Sequence, residues 1–89
     1  IITVNMMAAY EGMKVGVESG LDPKTLEKVI HDGMAQSWIP DGWSELSFGP
    51  HSREVFYKDL HLGLKLAREL GISVPGAGLA QQLLDKIVP

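Results

Sequence analysis

Apolar side chains recur with helical spacing along most of this chain, and nowhere do they alternate with polar ones as in a half-buried strand. Gly20 and Gly71 are typical helix stops, and a strong helix start follows the first of them, with Asp22 as N-cap and Pro23 in the first turn. A length of 89 residues leaves room for one domain. The pattern therefore predicts an all-α domain, a compact bundle of four to five helices.

The composition excludes several classes of protein. The chain has no cysteine, which rules out a disulfide scaffold, a zinc–cysteine site and a thiol nucleophile. A net charge of −3 argues against nucleic acid or an anionic membrane as the main partner. No apolar run reaches the ~20 residues of a membrane span, and no basic segment precedes the apolar start, so we expect a cytoplasmic location. The three histidines, His31, His51 and His61, lack metal-ligand spacing, and no metal site is predicted.

The first predicted helix covers residues 1–19 and carries a strip of small side chains. Its polar face consists of Thr3, Tyr10, Glu11, Lys14 and Glu18. The strip consists of Asn5, Ala8, Ala9, Gly12 and Gly16. Each helical glycine costs about 1 kcal/mol relative to alanine, which close packing against another backbone would justify. We therefore expect association with another copy. Because the periodic segment opens at Ile1 without a methionine or a cap, we also expect a piece of a longer chain.

The middle of the chain predicts one well-defined helix and one short one. The helix from Pro23 to about Gly33 is expected to turn its apolar residues inward, namely Leu26, Val29 and Ile30. Its charged residues are expected to face outward, namely Lys24, Glu27, Lys28 and His31. Residues 35–49, broken by proline and glycine, predict a short helix followed by a loop. A last helix is expected to run from Pro75 to about Ile87.

The longest predicted helix, residues 52–70, places Asp59 in the middle of its apolar face. That face consists of Val55, Phe56, Leu60, Leu62, Leu66, Ala67 and Leu70, with Gly63 among them. An ionised carboxylate buried there must find a cation or several donors, or become neutral. A structural role and a functional role both fit this position. Asn5 lies at the equivalent position of the first helix, as either a core amide or a ligand-binding group.

Four basic side chains share the polar side of the same helix: Lys58, His61, Lys65 and Arg68. They could receive a phosphate or a carboxylate, although the charge pattern favours an ordinary solvated face.

A series of short motifs, each modest alone, resembles the C-terminal helical domain of the β-hydroxyacid dehydrogenases. In order they are Gly20-Leu21-Asp22-Pro23, Asp32-Gly33-Met34-Ala35-Gln36-Ser37-Trp38, Tyr57-Lys58-Asp59-Leu60, Leu70-Gly71-Ile72-Ser73-Val74-Pro75 and Leu79-Ala80-Gln81. That family includes 3-hydroxyisobutyrate dehydrogenase, tartronate semialdehyde reductase, glyoxylate reductase and, more distantly, 6-phosphogluconate dehydrogenase. The resemblance covers almost the whole chain.

The resemblance implies that residues 1–89 form a single C-terminal substrate and oligomerisation domain that follows a Rossmann domain absent from this sequence. The intact protein would use NAD or NADP to move hydride between nicotinamide and a small hydroxy acid or its oxo form. The family's catalytic lysine, in a Lys-x-x-Asn motif, would fall about one to two helical turns before Ile1. We therefore expect the isolated segment to be inactive. The alternative is a non-catalytic helical dimerisation or binding module.

The resemblance also implies roles for individual residues. Lys58 would contact the cofactor near its nicotinamide end, and Asp59 would give catalytic support to the missing lysine and the substrate pocket. Asn5, a turn or two beyond the expected lysine motif, is a further substrate-pocket candidate. His51 stands where relatives usually carry a pocket-lining phenylalanine, so it too is a substrate-binding candidate. A titratable ring at that position would change the polarity of the substrate accepted.

Overall fold

The computed structural model describes residues 1–88, which form helices and connecting loops without any strand. The elements are α1 (Ile2–Glu18), α2 (Pro23–His31), α3 (Trp38–Asp41), a 3₁₀ turn (Trp43–Glu45), α4 (Ser52–Leu70), α5 (Pro75–Gln82) and α6 (Leu84–Ile87). This confirms the all-α prediction. None of the described helices has both the length and the apolar content to cross a membrane.

The described part has six helices rather than four or five, because the expected last helix is divided at Leu83. At Leu83 the backbone leaves the helical region, with φ −101° and ψ 7°. The division lets Leu84 and Ile87 turn into the core, while Asp85 and Lys86 between them stay exposed. The expectation of one continuous helix was therefore wrong.

The local signals at the helix ends act as the sequence predicts. The Asp22 side chain accepts a hydrogen bond from the backbone N–H of Thr25 at 3.0 Å, and Pro23 occupies the first turn of α2. Gly20 and Gly71 follow α1 and α4 with positive φ values of 103° and 70°. Residues with side chains rarely adopt this backbone conformation, so these glycines set where the two helices end.

The core lies where α1, α4, α5 and α6 meet, with α3 closing one end. Its buried members are Met6, Ala9, Ile39, Leu60, Ala80, Leu84, Ile87 and Val88. The largest side chains that are almost completely buried are Met6, Ile39 and Ile87. Ile39 belongs to α3, so this single-turn helix supplies one of the largest side chains of the core.

Helix α2 is rotated relative to the prediction. Val29 is exposed instead of inward, and Glu27 is buried instead of outward. The carboxylate of Glu27 accepts a hydrogen bond from the backbone N–H of Ser44 in the 3₁₀ turn. Beside it, the Lys24 ammonium lies 2.6 Å from the Glu45 carboxylate. The 3₁₀ turn thus packs on this side of α2 and supplies the donor that a buried carboxylate needs.

Helix α4 uses only part of its wide apolar arc to contact the core. Leu60 and Ala67 are buried, and Phe56 and Leu64 are half-buried. The other part of the arc is exposed, and we call it the leucine stripe: Val55, Leu62, Leu66 and Leu70. The expectation that all these residues point inward was wrong, because α5 and α6 contact α4 but leave this part of the arc exposed.

Candidate functional site

Asp59 lines a small cavity between α4, the start of α1 and the start of α5. The cavity has a volume of about 260 Å³ and is lined by Ile1, Ile2, Thr3, Phe56, Asp59, Leu60, Gly63, Leu64, Val74 and Ala77. Asp59 provides the one ionisable side chain among these mostly apolar residues. A lone carboxylate between apolar walls favours a cation or a hydrogen-bond donor as its partner.

The prediction that Asp59 is buried was wrong, because its side chain is exposed. The residue does lie in the apolar arc of α4, as expected, but beside the leucine stripe that no element of the described fold covers. The carboxylate therefore reaches solvent at the mouth of the cavity and needs no buried partner within the fold.

Lys58 is exposed and lies outside the lining of this cavity. One residue step turns about 100° around a helix, so Lys58 and Asp59 leave α4 on different sides. Within residues 1–88 the Lys58 ammonium has no ion pair. It remains available to an anionic or polar group that approaches the helix from solvent.

Thr3 lines the Asp59 cavity, although the sequence pattern assigned it to the polar face of the first helix. The residue is buried, so that assignment was wrong. Thr3 precedes the buried Met6 by three residues, a spacing that puts both on one helix face. This spacing was the signal that could have identified Thr3 as a cavity residue.

Asn5 is exposed and lies in a different depression from Asp59. That groove has a volume of about 200 Å³ and is lined by Asn5, Ala8, Ala9, Gly12, Met13, Ile30, Ala35, Ser37 and Pro40. Two residue steps from Thr3 to Asn5 turn about 200° around α1, so these residues face opposite sides of the helix. The expectation of a mid-core Asn5 was wrong, and the structure does not bring Asn5 and Asp59 together.

His51 also lies apart from the Asp59 cavity. It directly precedes α4 and is almost fully exposed, with its Nδ1 atom 3.9 Å from the Glu54 carboxylate. Eight residues of helix correspond to about 12 Å along the α4 axis between His51 and Asp59. The described fold therefore offers no direct route for His51 to line the same pocket.

A hydrogen-bonded cluster joins the end of α2 to α3. The Asp41 carboxylate lies 2.9 Å from Nδ1 of His31 and accepts a hydrogen bond from the Gln36 amide at 2.7 Å. The Asp41 contact, with a smaller contribution from Asp32, raises the pKa of the His31 imidazole above its ordinary value of 6.5. The same contact and the Gln36 amide lower the pKa of Asp41 below 3.8. The cluster holds the loop beside the Asn5 groove.

Comparison with known proteins gives similar sequences among oxidoreductases. The chain is 31% identical to the uncharacterized oxidoreductase YkwC of Bacillus subtilis over 97% of its own length and 32% of the relative's. It is 24% identical to 2-(hydroxymethyl)glutarate dehydrogenase of Eubacterium barkeri, covering 96% of the chain and 30% of the relative. A probable mitochondrial 3-hydroxyisobutyrate dehydrogenase of Dictyostelium discoideum is 26% identical, covering 99% and 31%.

The chain thus spans about a third of the length of the curated relatives it matches. No solved structure matches it significantly. The sequence profile of one protein family matches residues 1–88, and that family is described as "NAD-binding of NADP-dependent 3-hydroxyisobutyrate dehydrogenase". This match confirms the resemblance at the level of the family and, with it, the expected nicotinamide cofactor class. The chain belongs to this family of NAD-binding domains from 3-hydroxyisobutyrate dehydrogenases.

Proposed function

We propose that this chain is the C-terminal helical domain of an NAD(P)-dependent oxidoreductase that moves hydride between nicotinamide and a small 3-hydroxy acid or its semialdehyde. The family match and the oxidoreductase relatives support the reaction class. Residues 1–88 contain no strand, so a sheet that binds the dinucleotide would belong to a separate Rossmann domain. The whole of residues 1–89 then forms one domain, and a cytoplasmic location stays a prediction.

One observation carries this proposal: the Asp59 carboxylate lies at the mouth of an apolar cavity beside the first turn of α1. The resemblance implies that the catalytic lysine precedes Ile1 on the same helix. A lysine that reaches the mouth of this cavity would meet one negative charge beside mostly apolar side chains. Such a site holds an ammonium group in a fixed orientation.

Lys58 and the residues that line the Asp59 cavity can hold only one end of a dinucleotide cofactor. A cavity of about 260 Å³ is smaller than the ~300–1,000 Å³ of common cofactor sites, and it can admit only a part of the molecule. Lys58, exposed and unpaired in the described fold, would hold a polar or anionic group of the cofactor from the other side of α4. The remaining contacts would come from the Rossmann domain.

When bound, the nicotinamide cofactor would provide the hydride-transfer chemistry. The Asp59 carboxylate holds the incoming lysine charged and oriented toward the substrate oxygen. The lysine donates a proton to that oxygen during reduction and recovers it during oxidation. The apolar walls, including Phe56 and Leu60, add no competing charge beside this ion pair. Asp59 is thus a positioning residue, because it acts through the lysine.

Asp59→Asn in the intact protein that carries this domain tests the proposal. We expect kcat to fall by roughly 10²-fold, the usual contribution of a positioned acid or base. The pH profile of kcat should also move to lower pH, because the lysine loses the carboxylate that favours its charged form. Steady-state kinetics across a pH series gives both readouts, and Asp59→Glu should recover part of the activity.

Glu69→Gln is the matched control, since it removes an exposed carboxylate from the same helix outside the cavity. It should leave kcat and the pH profile unchanged. Lys58→Ala should mainly raise the KM for the cofactor. An Asp59→Asn enzyme with wild-type kcat and pH profile would contradict the assignment.

A non-catalytic dimerisation module is the second candidate, and the exposed leucine stripe of α4 favours it. It predicts that substitution of Asp59 changes no turnover, because there would be none to change. It also predicts that the parent protein binds no hydroxy acid.

A further inference from the structure

The cavity beside Asp59 has a second polar side chain, that of Thr3. The two residues differ in accessibility, because Asp59 is exposed at the mouth whereas Thr3 is only 3% exposed. All other side chains of the described lining are apolar, apart from Gly63, which has none. A substrate group that enters past Asp59 therefore meets one hydroxyl between apolar walls.

The Thr3 hydroxyl has no hydrogen-bond partner within residues 1–88. In the same part of the chain, every buried side-chain nitrogen or oxygen atom does have a partner. The Thr3 oxygen is therefore not sealed inside the core, and it is accessible from the cavity that Thr3 lines. A hydroxyl that is nearly removed from water without a partner carries a free-energy cost, which a matching group on a ligand removes.

The charge of the cavity determines which part of a hydroxy acid enters it. The described lining contains no cationic side chain, so a substrate carboxylate inside would have no partner and would face the like charge of Asp59. The catalytic lysine of the proposed reaction acts at the mouth, on the reacting oxygen. The substrate carboxylate thus points out of the cavity, and the neutral substituent on carbon 2, next to the reacting carbon, points in.

We propose that Thr3 is a specificity-determining residue, which selects 3-hydroxy acids with a hydroxyl rather than a methyl group on carbon 2. This inference rests on the proposed function and names the substrate class, a small 2,3-dihydroxy acid or its semialdehyde. A hydroxyl both donates and accepts hydrogen bonds, so the substrate hydroxyl and the Thr3 hydroxyl match each other. A methyl group at that carbon leaves the Thr3 oxygen unpaired, and such a mismatch discriminates strongly against a substrate.

The experiment combines one change in the protein with the same change in the substrate. The substrates are 2,3-dihydroxypropanoate and 3-hydroxy-2-methylpropanoate of matching configuration, which differ only in hydroxyl against methyl on carbon 2. Thr3→Val makes the same exchange in the intact protein that carries this domain. We expect the wild type to prefer the dihydroxy acid in kcat/KM. Thr3→Val should lower that preference by about tenfold, the effect of one hydrogen bond whose loss leaves a group unpaired.

Thr3→Ser keeps the hydroxyl and should keep the preference within about threefold, even though it removes a buried methyl group. Thr25→Val is the matched control, because it removes the chain's other threonine hydroxyl, at an exposed position of α2. It should leave the preference unchanged. Thermal unfolding of each variant shows that the compared proteins are folded.

Three results would each overturn the inference. Thr3→Val can lower kcat/KM for both acids by the same factor, which means that the hydroxyl only supports the fold. The wild type can prefer the methyl-substituted acid, or it can turn over neither acid. The catalytic proposal is tested separately, because the pH profile of Asp59→Asn reports on the lysine with any hydroxy acid that the protein accepts.

Discussion

The His31–Asp41 contact shows how an exposed pair can make the stability of this domain depend on pH. The contact joins α2 to α3 across the intervening loop, with Nδ1 and the carboxylate oxygen 2.9 Å apart. Because folding raises the pKa of His31 above 6.5, the protonated imidazole favours the folded state. This stabilisation is complete below about pH 6.5 and disappears as the pH rises through the raised pKa.

We therefore expect the His31→Gln variant to lose less stability than the wild type between about pH 5.5 and about pH 8.5. Urea unfolding followed by circular dichroism at both pH values gives the two free energies of unfolding. Asp41 acts in the opposite direction, since its pKa is lowered. The stability that Asp41 contributes is present above about pH 3.8 and is lost as the pH falls through the lowered pKa.

His51→Gln is the control, because His51 lies 3.9 Å from the exposed Glu54 carboxylate and joins no two helices. Its pH dependence should match the wild type. If His31→Gln shows the full wild-type loss of stability, the contact with Asp41 does not form in solution.

Single residues were the hardest features to predict from the sequence. The pattern correctly put Asp59 in the apolar arc of α4, but it could not say which part of that arc the other helices cover. Glu27 is buried against the backbone of Ser44, a donor that no side-chain pattern reveals. Val29 was assigned to the wrong face for the same reason. Burial depends on neighbours that are distant in the sequence, and periodicity carries no information about them.

At the scale of the helices, α1 contains two glycines with different surroundings. Gly16 is buried, and a Cβ atom added there would lie 2.5 Å from Cδ1 of Leu26. Apart from its chain neighbours and the backbone of its own helix, Gly12 has no atom within 4 Å of its added Cβ position. The sequence led us to expect the close approach of another backbone, but the close neighbour of Gly16 is the side chain of Leu26 from α2.

This difference predicts opposite behaviour for the same substitution. Gly12→Ala should raise the free energy of unfolding by about 0.5–1 kcal/mol, because alanine loses less backbone entropy in a helix. The free energy of unfolding of Gly16→Ala should be lower than that of Gly12→Ala by roughly 1–3 kcal/mol, because Leu26 has to move to admit the methyl group. Chemical denaturation of both variants at a concentration where the chain is monomeric provides the comparison. Equal gains from both would mean that α1 and α2 pack more loosely than described.

Helix boundaries were the best-predicted elements because local chemistry sets them. The cap at Asp22 and the positive φ values at Gly20 and Gly71 depend on residues adjacent in the sequence. The division at Leu83 has no comparable local signal. It serves the packing of Leu84 and Ile87, so it follows from the tertiary structure.

The whole molecule is a slab with extents of 43 × 28 × 20 Å, and its core is correspondingly small. Ile39, on the single turn of α3, is 1% exposed, while the adjacent Trp38 is 69% exposed. A short element thus supplies one of the largest buried side chains, and a domain of 89 residues has few others to replace it.

Ile39→Ala should lower the free energy of unfolding by about 2–5 kcal/mol, the usual loss for a large aliphatic side chain in a core. That is a large share of the roughly 4–13 kcal/mol expected for a chain of this length. Thermal or urea unfolding measures the loss. Trp38→Ala, at the neighbouring exposed position, should change stability by less than about 0.5 kcal/mol. Comparable losses from both would show that α3 is not seated in the core.

The family was accessible from the sequence because its motifs keep their order along nearly the whole chain. The site was accessible only in part. Asp59 and Lys58 come from one motif, but the cavity that Asp59 shares with the first turn of α1 is formed by distant segments. Asn5 is separated from that cavity because it points to the opposite side of α1, and His51 is separated from Asp59 by about 12 Å along α4. Such directions become informative only when the neighbouring elements are known.

The hydrogen bond between Glu27 and Ser44 has a consequence for how this fold can diverge. The donor is a main-chain N–H, so the hydroxyl of Ser44 contributes nothing to it. Every amino acid except proline carries that N–H group. Residue 44 can therefore be almost any amino acid except proline, whereas residue 27 must have a side chain that accepts a hydrogen bond. The hydrogen bond that joins α2 to the 3₁₀ turn can therefore persist through changes at residue 44, as long as residue 27 keeps its acceptor.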